Sequence, residues 1–287
     1  IGTCLVGSEM CIRDRENKEE IGKKLLSCLI DLGPGYIKFG QALSTRPDLV
    51  DKKTCQYLKK LQDNIEPFSS SIAKKIIETE RQNLIDNIFS SFDEKPIANA
   101  SVAQVHTAIL KSGETVAVKL LKPNIRRKLF NDFIFFYWTS KCLEIAIPSI
   151  KRLKLSKNVE VLSEVSLNEL DLTLEASAAE ELSENFKDNP NYKVPKIYWE
   201  LTSKNMLVLE YIKGIRIDDI DALKKDNHNI KKITEIGTEV FFLQVFRDGF
   251  FHGDMHPGNI LINPKGVLVP IDFGIMGRLS NKDRQFL

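Results

Sequence analysis

The chain has 287 residues, 43% of them hydrophobic and 28% charged, so it can bury a sizeable core in one large or two small domains. Lys and Arg (41) nearly balance Asp and Glu (39), and this net charge of +2 gives no indication of binding to nucleic acid. The five Cys, at positions 4, 11, 28, 55 and 142, form no CxxC pair or Cys/His cluster, which indicates reduced thiols and no zinc site. No apolar run approaches the ~18 residues of a spanning helix, so we predict a soluble or peripheral chain.

The first segment, 1–15, is expected to be non-native. It lacks the charge and apolar layout of a signal peptide, and Glu9–Asp14 resembles translated sequencing-adaptor DNA. We therefore exclude this segment from the fold.

A run of predicted helices follows. Four segments have the apolar spacing of amphipathic helices: 17–32, 36–44, 55–63 and 70–90. Gly33–Gly35 separates the first two. The second contains Lys38-Phe39-Gly40-Gln41, in which the residue pattern alone predicts a solvated lysine and a glycine at a close helix contact.

A β-hairpin is predicted next. Residues 105–110 and 115–121 alternate as strands around a turn at 111–114. The second strand carries Val116-Ala117-Val118-Lys119, the pattern whose lysine pairs with α- and β-phosphates in kinases. Ala and Ser replace the glycines that usually precede it, which should stiffen the loop. We expect four loop residues to contact nucleotide: Ala98, Ala100, Ser101 and Val102.

Two more helices are predicted, over 126–146 and, without a break, over 157–186. On the second, Asp171 and Glu175 share a face, whereas Glu169 lies about 160° round the helix from Asp171. A kinase needs a helix carboxylate to fix its phosphate-pairing lysine. Glu175 is our candidate, which leaves Glu169 and Asp171 for another partner.

Strands are then predicted at 198–201 and 206–211, and a helix over 230–248. The second strand ends where an interlobe hinge would present backbone groups of Glu210 and Ile212 to adenine. A plain edge strand explains this segment almost as well.

The densest motif runs from His252-Gly253-Asp254 through Asn259 to Asp272-Phe273-Gly274. This order and spacing match a kinase catalytic loop and magnesium site. Asp254 would orient the acceptor or water, and the oxygens of Asn259 and Asp272 suit Mg²⁺. Strands at 260–262 and 267–269 would form a hairpin that returns Asp272 to Asn259.

Together these motifs resemble the UbiB family of atypical protein-kinase-like proteins of ubiquinone biosynthesis. The resemblance extends from about Ile21 to Leu287, and five motifs carry it: KFGQ at 38–41, the alanine-rich loop, VAVK at 116–119, Glu169-Leu170-Asp171 and 252–259. It implies an α+β, protein-kinase-like two-lobe fold with a small β-rich N-lobe. The expected parts are an N-terminal helical extension (16–92), an N-lobe with a family-specific helical insert (93–212) and a partial C-lobe (213–287). Because the chain stops thirteen residues after Gly274, we expect a fragment with a truncated helical C-lobe.

The resemblance also implies roles for residues. Lys38 and Gln41 would be regulatory, on a helix that folds over the site, meets Glu169 and Asp171 and occludes the groove for a protein substrate. Lys119 and Glu175 would form the usual ion pair beside a catalytic Asp254. The alanine-rich loop would set nucleotide preference, although Asn99 departs from the Ala or Ser expected there.

Members of this family are expected to bind ATP or ADP with Mg²⁺ and to hydrolyse ATP rather than phosphorylate proteins. They would support ubiquinone synthesis at the cytoplasmic face of the bacterial inner membrane. The implied partners are a membrane surface and quinone-precursor lipids or biosynthetic enzymes, and not nucleic acid.

Two other functions fit parts of the sequence. The pattern His-Gly-Asp-x-His-Pro-x-Asn also occurs in small-molecule phosphotransferases such as aminoglycoside and choline kinases. The KFGQ motif argues against this function, because it indicates a helix over the acceptor groove, which those enzymes do not need. A nucleotide-gated scaffold, in which ATP turnover is only a switch, is the third interpretation. The sequence does not rank this scaffold against the ATPase.

Overall fold

The computed structural model describes residues 20–48, 50–62 and 67–286. The expected non-native segment and the start of the first predicted helix lie outside these ranges. The described chain divides into two units that interleave along the sequence. The first unit contains the described residues up to Ser69, with Pro96–Gln104 and Leu121–Leu170. The second unit contains Ser70–Lys95, Val105–Leu120 and the described residues from Asp171 onward.

The helices are α1 (20–32), α2 (Pro34–Ser44), α3 (Lys52–Leu58), α4 (Ser70–Arg81), α5 (Ile85–Ile88), α6 (Ile125–Ala146), α7 (Leu155–Asn168), α8 (Leu172–Asn185), α9 (Ile220–Lys225), α10 (Ile230–Phe242) and α11 (Asn281–Phe286). The strands are β1 (Phe89–Phe92), β2 (Ala98–Asn99), β3 (Ala103–Leu110), β4 (Thr115–Leu121), β5 (Met206–Glu210), β6 (Ile215–Arg216), β7 (Phe250–His252), β8 (Ile260–Ile262), β9 (Leu268–Pro270) and β10 (Met276–Arg278). Within the described residues, none of these helices is both long and apolar enough to cross a bilayer.

The core of the first unit forms where α1, α2 and α3 meet. Leu29, Ile37, Leu58 and Leu61 are buried together there. Gly40 of α2 faces this cluster, and a Cβ atom at this position would lie 2.4 Å from Leu61 Cδ1 and 2.7 Å from Leu29 Cδ1. The glycine therefore permits the close helix contact that the sequence predicted.

The first unit also contains a helical hairpin of α6 and α7, joined by the 3₁₀ turn Pro148–Leu153. Glu144 near the end of α6 accepts hydrogen bonds of 3.0 Å from both the N–H and the hydroxyl of Ser156 in the first turn of α7. Asp132 of α6 accepts a 3.2 Å hydrogen bond from the N–H of Gly35 in α2. These carboxylates connect the hairpin to itself and to α2.

The second unit is built on an antiparallel sheet in which β1, β3, β4 and β5 are neighbours in that order. β4 and β5 pair antiparallel, and Lys119 lies opposite Leu207. The predicted hairpin at 105–121 and the predicted strand at 206–211 are thereby confirmed. So is the α+β class, because α8 contacts β5 of this antiparallel sheet, while α9 and α10 follow the sheet in the chain.

Two short sheets carry the densest motif. β6, β8 and β9 form one, in which β8 and β9 pair antiparallel from Ile260 opposite Pro270 to Ile262 opposite Leu268. This confirms the hairpin predicted after Asn259. β7 pairs with β10, and this places His252 opposite Met276.

Three predicted elements are wrong. The helix predicted over 157–186 breaks between α7 and α8, because Asp171 takes an extended backbone and its side chain caps the next helix. The strand predicted at 198–201 is a 3₁₀ turn, Trp199–Leu201. The helix predicted over 70–90 ends at Arg81, since Gln82 has a left-handed φ of 49°, and Phe89 begins β1.

Candidate active site

Lys119 and Glu175 form the centre of the site in the second unit. The neighbours of Lys119 in β4, Val118 and Leu120, are fully buried, so strand alternation turns the lysine to the other face of the sheet. Its Nζ lies 2.7 Å from Oε1 and 2.9 Å from Oε2 of Glu175 in the first turn of α8. The two side chains are 14% and 6% exposed. The structure thus brings together the two residues predicted to form the ion pair.

Asp272 and Phe273 adjoin this pair. Oδ2 of Asp272 lies 3.5 Å from Lys119 Nζ, and its Oδ1 accepts a 3.0 Å hydrogen bond from the N–H of Gly274. The N–H of Phe273 donates to Oε1 of Glu175 at 3.3 Å. One lysine and two carboxylates therefore share the site, with the backbone of the Asp-Phe-Gly motif bonded to both acids.

The pKa values of the two acids are shifted in opposite directions. Burial raises the pKa of Glu175 above its ordinary value, and the nearby Asp272 adds to this, although Lys119 opposes both. The Asp272 side chain is 42% exposed to solvent. Partial desolvation would raise the pKa of Asp272, but Lys119, the Gly274 N–H and His252 outweigh it, so this pKa lies below its usual range. Asp272 is therefore ionised at neutral pH.

Asp254 and Asn259 lie together in the loop that follows β7. Nδ2 of Asn259 donates to Oδ2 of Asp254 at 3.3 Å, which directs the amide oxygen of Asn259 away from that carboxylate. The N–H of Ile271 donates to the backbone carbonyl of Asn259 at 2.9 Å, so the hairpin of β8 and β9 returns the chain beside Asn259, one residue before Asp272.

His252 joins this loop to Asp272. Its Nδ1 accepts the N–H of Asp254 at 3.1 Å, so the ring proton is on Nε2, which donates to the carbonyl of Asp272 at 2.5 Å. Gln244 supports His252 in turn: its Oε1 accepts the His252 N–H at 2.9 Å and its Nε2 donates to the Tyr192 hydroxyl at 3.4 Å. Gln244 lies in the π-helical segment Leu243–Asp248 that continues α10, and it is fully buried.

Sequence reasoning missed Gln244 and Tyr192 as supports of the loop. A signal for Gln244 was present, because it continues the four-residue spacing of the buried Ile236 and Val240. A polar side chain on such a stripe needs a hydrogen-bond partner. No local pattern points to Tyr192.

The residues predicted to be regulatory lie mainly in the first unit. Nζ of Lys38 donates to Oε2 of Glu169, and these side chains are only 13% and 14% exposed. The solvated lysine predicted from the residue pattern is therefore wrong. Gln41 donates to the carbonyl of Leu61 at 3.4 Å. Asp171 caps α8 through the Thr173 N–H at 3.2 Å and lies 3.8 Å from Lys204.

The alanine-rich loop also belongs to the first unit. Ala98 and Asn99 form β2, and the N–H of Ala100 donates to the carbonyl of Ala103 at 2.8 Å. Ser101 and Val102 are buried. Asn99, which departs from the family pattern, has a buried Oδ1 without a hydrogen-bond partner in the described part of the chain.

The predicted hinge residues lie in the second unit, at the end of β5. The N–H of Glu210 donates to the carbonyl of Lys196 at 2.8 Å, and its carboxylate pairs with Lys193. Ile212 follows the strand and is half-buried.

Comparison with known proteins identifies the family. Residues 60–287 match the ABC1 atypical kinase-like domain. A protein of Aliivibrio fischeri strain ES114 named "Probable protein kinase UbiB" is 41% identical over 281 residues, which cover 96% of this chain and 52% of that protein. A protein of the same name from Shewanella sp. strain MR-4 is 42% identical over 283 residues, covering 96% and 51%. The chain thus spans about half the length of these curated relatives.

The chain is also similar to a solved structure. The complex of Rv3197 with erythromycin from Mycobacterium tuberculosis superposes with a TM-score of 0.62 at 26% identity, covering 94% of this chain and 68% of that one. These matches confirm the resemblance and the kinase-like fold that the motifs predicted. The chain belongs to the family of ABC1 atypical kinase-like domains.

Proposed function

We propose that this chain binds ATP or ADP with Mg²⁺ as part of a UbiB-type atypical kinase that hydrolyses ATP. One observation carries the proposal: Lys119 lies between Glu175, at 2.7 Å, and Asp272, at 3.5 Å. A fixed cation beside a metal-binding carboxylate is what phosphoryl chemistry requires, because the reaction depends mainly on positioning and charge neutralisation.

The residues present fit a magnesium ion. Asp272 offers an ionised carboxylate that solvent reaches, and Asn259 offers an amide oxygen, since its hydrogen bond to Asp254 uses only the amide nitrogen. Mg²⁺ prefers such hard oxygen ligands and keeps several waters, so two protein ligands suffice when phosphate oxygens supply others. When bound, the ion would neutralise charge on the phosphates.

The chain's own residues divide the remaining work. Lys119 would contact the phosphates, and Glu175 would hold it in place. Asp254 would orient the attacking water and accept its proton, while the hydrogen bond from Asn259 positions the carboxylate. His252 keeps this loop beside Asp272 through its two ring nitrogens.

For the cellular role, we propose support of ubiquinone synthesis, with ATP hydrolysis coupled to the handling of lipid precursors or biosynthetic partners. The relatives' name, "Probable protein kinase UbiB", and their 41–42% identity support it. To test this role, the rate of phosphate release from ATP would be measured for a full-length relative on membranes, with and without a quinone precursor. The precursor should raise the rate.

Isothermal titration calorimetry with ATP and ADP, with and without Mg²⁺, tests the site. We expect Lys119→Ala to weaken binding with and without the ion, because the phosphates lose their cation. Asp272→Asn should remove only the Mg²⁺-dependent part, since an amide is a weaker ligand for a hard cation. Lys196→Ala and Asp218→Asn, at exposed residues of the same unit, are matched controls that should bind as the parent does.

Three results would contradict the proposal: no nucleotide binding in the parent, binding that ignores Mg²⁺, or an undiminished affinity in both site variants. Transfer of labelled phosphate to a soluble amine or alcohol would favour a small-molecule phosphotransferase instead. Nucleotide-dependent partner binding that survives Asp254→Asn would favour a scaffold.

A further inference from the structure

Helix α3 and the 3₁₀ turn Lys59–Gln62 that continues it line a cavity in the first unit. Residues three, four and seven positions apart lie on the same side of a helix. The described lining of the cavity has this spacing and consists of Lys53, Gln56, Tyr57 and Lys60. The cavity has a volume of about 330 Å³, which is at the lower end of the range for small-molecule pockets. We call it the α3 cavity.

The ring of Tyr57 connects this cavity to α1. A Cβ atom at Gly22 would lie 2.8 Å from Cδ2 of Tyr57, so the glycine lets α1 pack directly on the ring. The Nζ atom of Lys60 lies 5.1 Å from the centroid of the ring, and that of Lys23 in α1 lies 5.9 Å from it. The face of an aromatic ring attracts ammonium groups at these distances. Tyr57 therefore gathers positive charge beside the α3 cavity.

The positive charge of Lys53 and Lys60 is not neutralised within the described part of the chain. Neither lysine forms an ion pair with a residue of the described ranges. Residues 52–60 contain four Lys and no Asp or Glu. The preceding Asp51 caps α3, because its carboxylate accepts the N–H groups of Lys53 and Thr54 at 3.0 and 3.2 Å.

The groups that line the cavity are suited to a phosphate. A lysine ammonium is a compact charge that binds phosphate oxygens, and the described lining has no carboxylate to repel them. Lys53 and Lys60 are two turns apart, about 10 Å along the axis, so their flexible side chains can approach one anion from two sides. Gln56 and Tyr57 lie between them in the chain and add an amide and a hydroxyl donor.

We propose that the α3 cavity binds a small soluble compound that carries a phosphate or diphosphate group. The phosphate would lie between Lys53 and Lys60, and the rest of the compound would lie against the ring of Tyr57. A cavity of this size favours a small compound over an acidic protein surface, which needs a larger and flatter contact.

The α3 cavity is separate from the candidate active site. Its described lining belongs to the first unit, whereas Lys119 and Asp272 belong to the second. The proposal therefore goes beyond nucleotide binding at Lys119 and does not depend on it.

Isothermal titration calorimetry with inorganic pyrophosphate tests the proposal on the chain as it is. Mg²⁺ is left out, so that metal-dependent binding in the second unit does not contribute. We expect binding to persist at about 0.15 M salt, because lysines that enclose the anion lie closer to it than the Debye length of ~8 Å. No binding of pyrophosphate at this salt concentration would overturn the proposal.

Two double variants locate the site. Lys53→Ala/Lys60→Ala should lower the affinity for pyrophosphate by about tenfold or more, since it removes two charged donors. Lys52→Ala/Lys59→Ala is the matched control, because it removes the same charge from exposed positions of the same segment outside the described lining. The control should lose less than about threefold. Equal losses in the two variants would show general attraction to a basic segment and overturn the proposal.

Acetylation of lysines gives a readout that needs no substitution. The chain is treated with N-hydroxysuccinimidyl acetate with and without pyrophosphate, and the modified lysines are quantified by mass spectrometry. Pyrophosphate should slow the acetylation of Lys53 and Lys60 severalfold and leave Lys52 and Lys59 unchanged. Equal rates with and without pyrophosphate at Lys53 and Lys60 would overturn the proposal.

The same labelling separates a soluble phosphate from the phosphate of a lipid headgroup. Pyrophosphate is compared with phosphatidylglycerol vesicles at the same phosphate concentration. Protection of Lys53 and Lys60 by pyrophosphate supports a soluble compound. Protection by the vesicles alone would overturn the assignment to a soluble compound.

Discussion

The backbone N–H of Phe273 donates to Oε1 of Glu175, the same oxygen that accepts from Lys119. The two distances are 3.3 Å and 2.7 Å. This one carboxylate therefore fixes both the phosphate-pairing lysine and the start of the Asp-Phe-Gly segment. A change in its charge should be felt by both.

Lys119→Met leaves Glu175 buried beside Asp272 without a cation. We expect a loss of about 3–5 kcal/mol in unfolding free energy near neutral pH, the usual result of breaking a buried pair. The pKa of Glu175 is already raised by burial, and losing Lys119 raises it further. A raised carboxyl pKa means that the folded state binds the proton more tightly, so the variant's deficit should grow as pH rises above the unfolded value.

Urea unfolding at about pH 5 and about pH 7.5 measures this change. Lys119→Met/Glu175→Leu is the control, since it removes the uncompensated charge and should recover most of the loss. A deficit of the same size at both pH values, or no recovery in the double variant, would contradict the account.

Gln244→Leu tests the support of the catalytic loop. The change leaves the buried His252 N–H and the Tyr192 hydroxyl without this partner, and each lost partner costs about 1–3 kcal/mol. Hydrogen exchange should increase in residues 250–259, because His252 connects β7 to Asp254.

Gln104→Leu is the matched control for that experiment. Gln104 is equally buried but bonds the backbone of Phe68, so its loss should lower stability without selectively increasing exchange in 250–259. If the two variants show the same exchange pattern, Gln244 has no particular role in the loop.

The sequence predicted the features that fixed motifs and the alternation of apolar residues in strands determine. Lys119 and Glu175 meet as expected, and the hairpin after Asn259 forms. It did not predict the end of α7, because the apolar spacing runs on while the side chain of Asp171 competes for backbone N–H groups as a cap. Nor did the local pattern show that Lys38 is shielded, since its partner Glu169 lies 131 positions further along the chain.

The pH dependence of stability should depend on His106. Its ring is fully buried, its Nδ1 donates to the carbonyl of Asp93 at 2.8 Å, and it stacks on Phe92 at 4.8 Å between centroids. Burial lowers the pKa of His106 below 6.5. A depressed histidine pKa means that the unfolded state takes up the proton first, so stability should fall as pH drops below about 6.5.

His106→Asn keeps a donor near Nδ1 and removes the titrating group. Between about pH 7 and pH 5, we expect its unfolding free energy to change less than that of the parent. The difference between the two proteins should be about 1.4 kcal/mol for each unit by which the pKa of His106 is depressed. Denaturant midpoints across this range provide the measurement. Parallel pH profiles for the two proteins would contradict the role of His106.

Two glycine-to-alanine changes separate packing from helix propensity. In Gly40→Ala the new Cβ would meet Leu61 Cδ1 at 2.4 Å and Leu29 Cδ1 at 2.7 Å, and both leucines are buried in the first unit's core. Overpacking costs about 1–3 kcal/mol, which exceeds the ~1 kcal/mol that alanine gains over glycine in a helix, so we expect net destabilisation.

In Gly237→Ala, within α10, the nearest contact is Leu268 at an ordinary 3.6 Å. That variant should be stabilised by about 0.5–1 kcal/mol. Urea unfolding of both variants checks the opposite signs, and a stabilised Gly40→Ala would show that the leucines move aside at little cost.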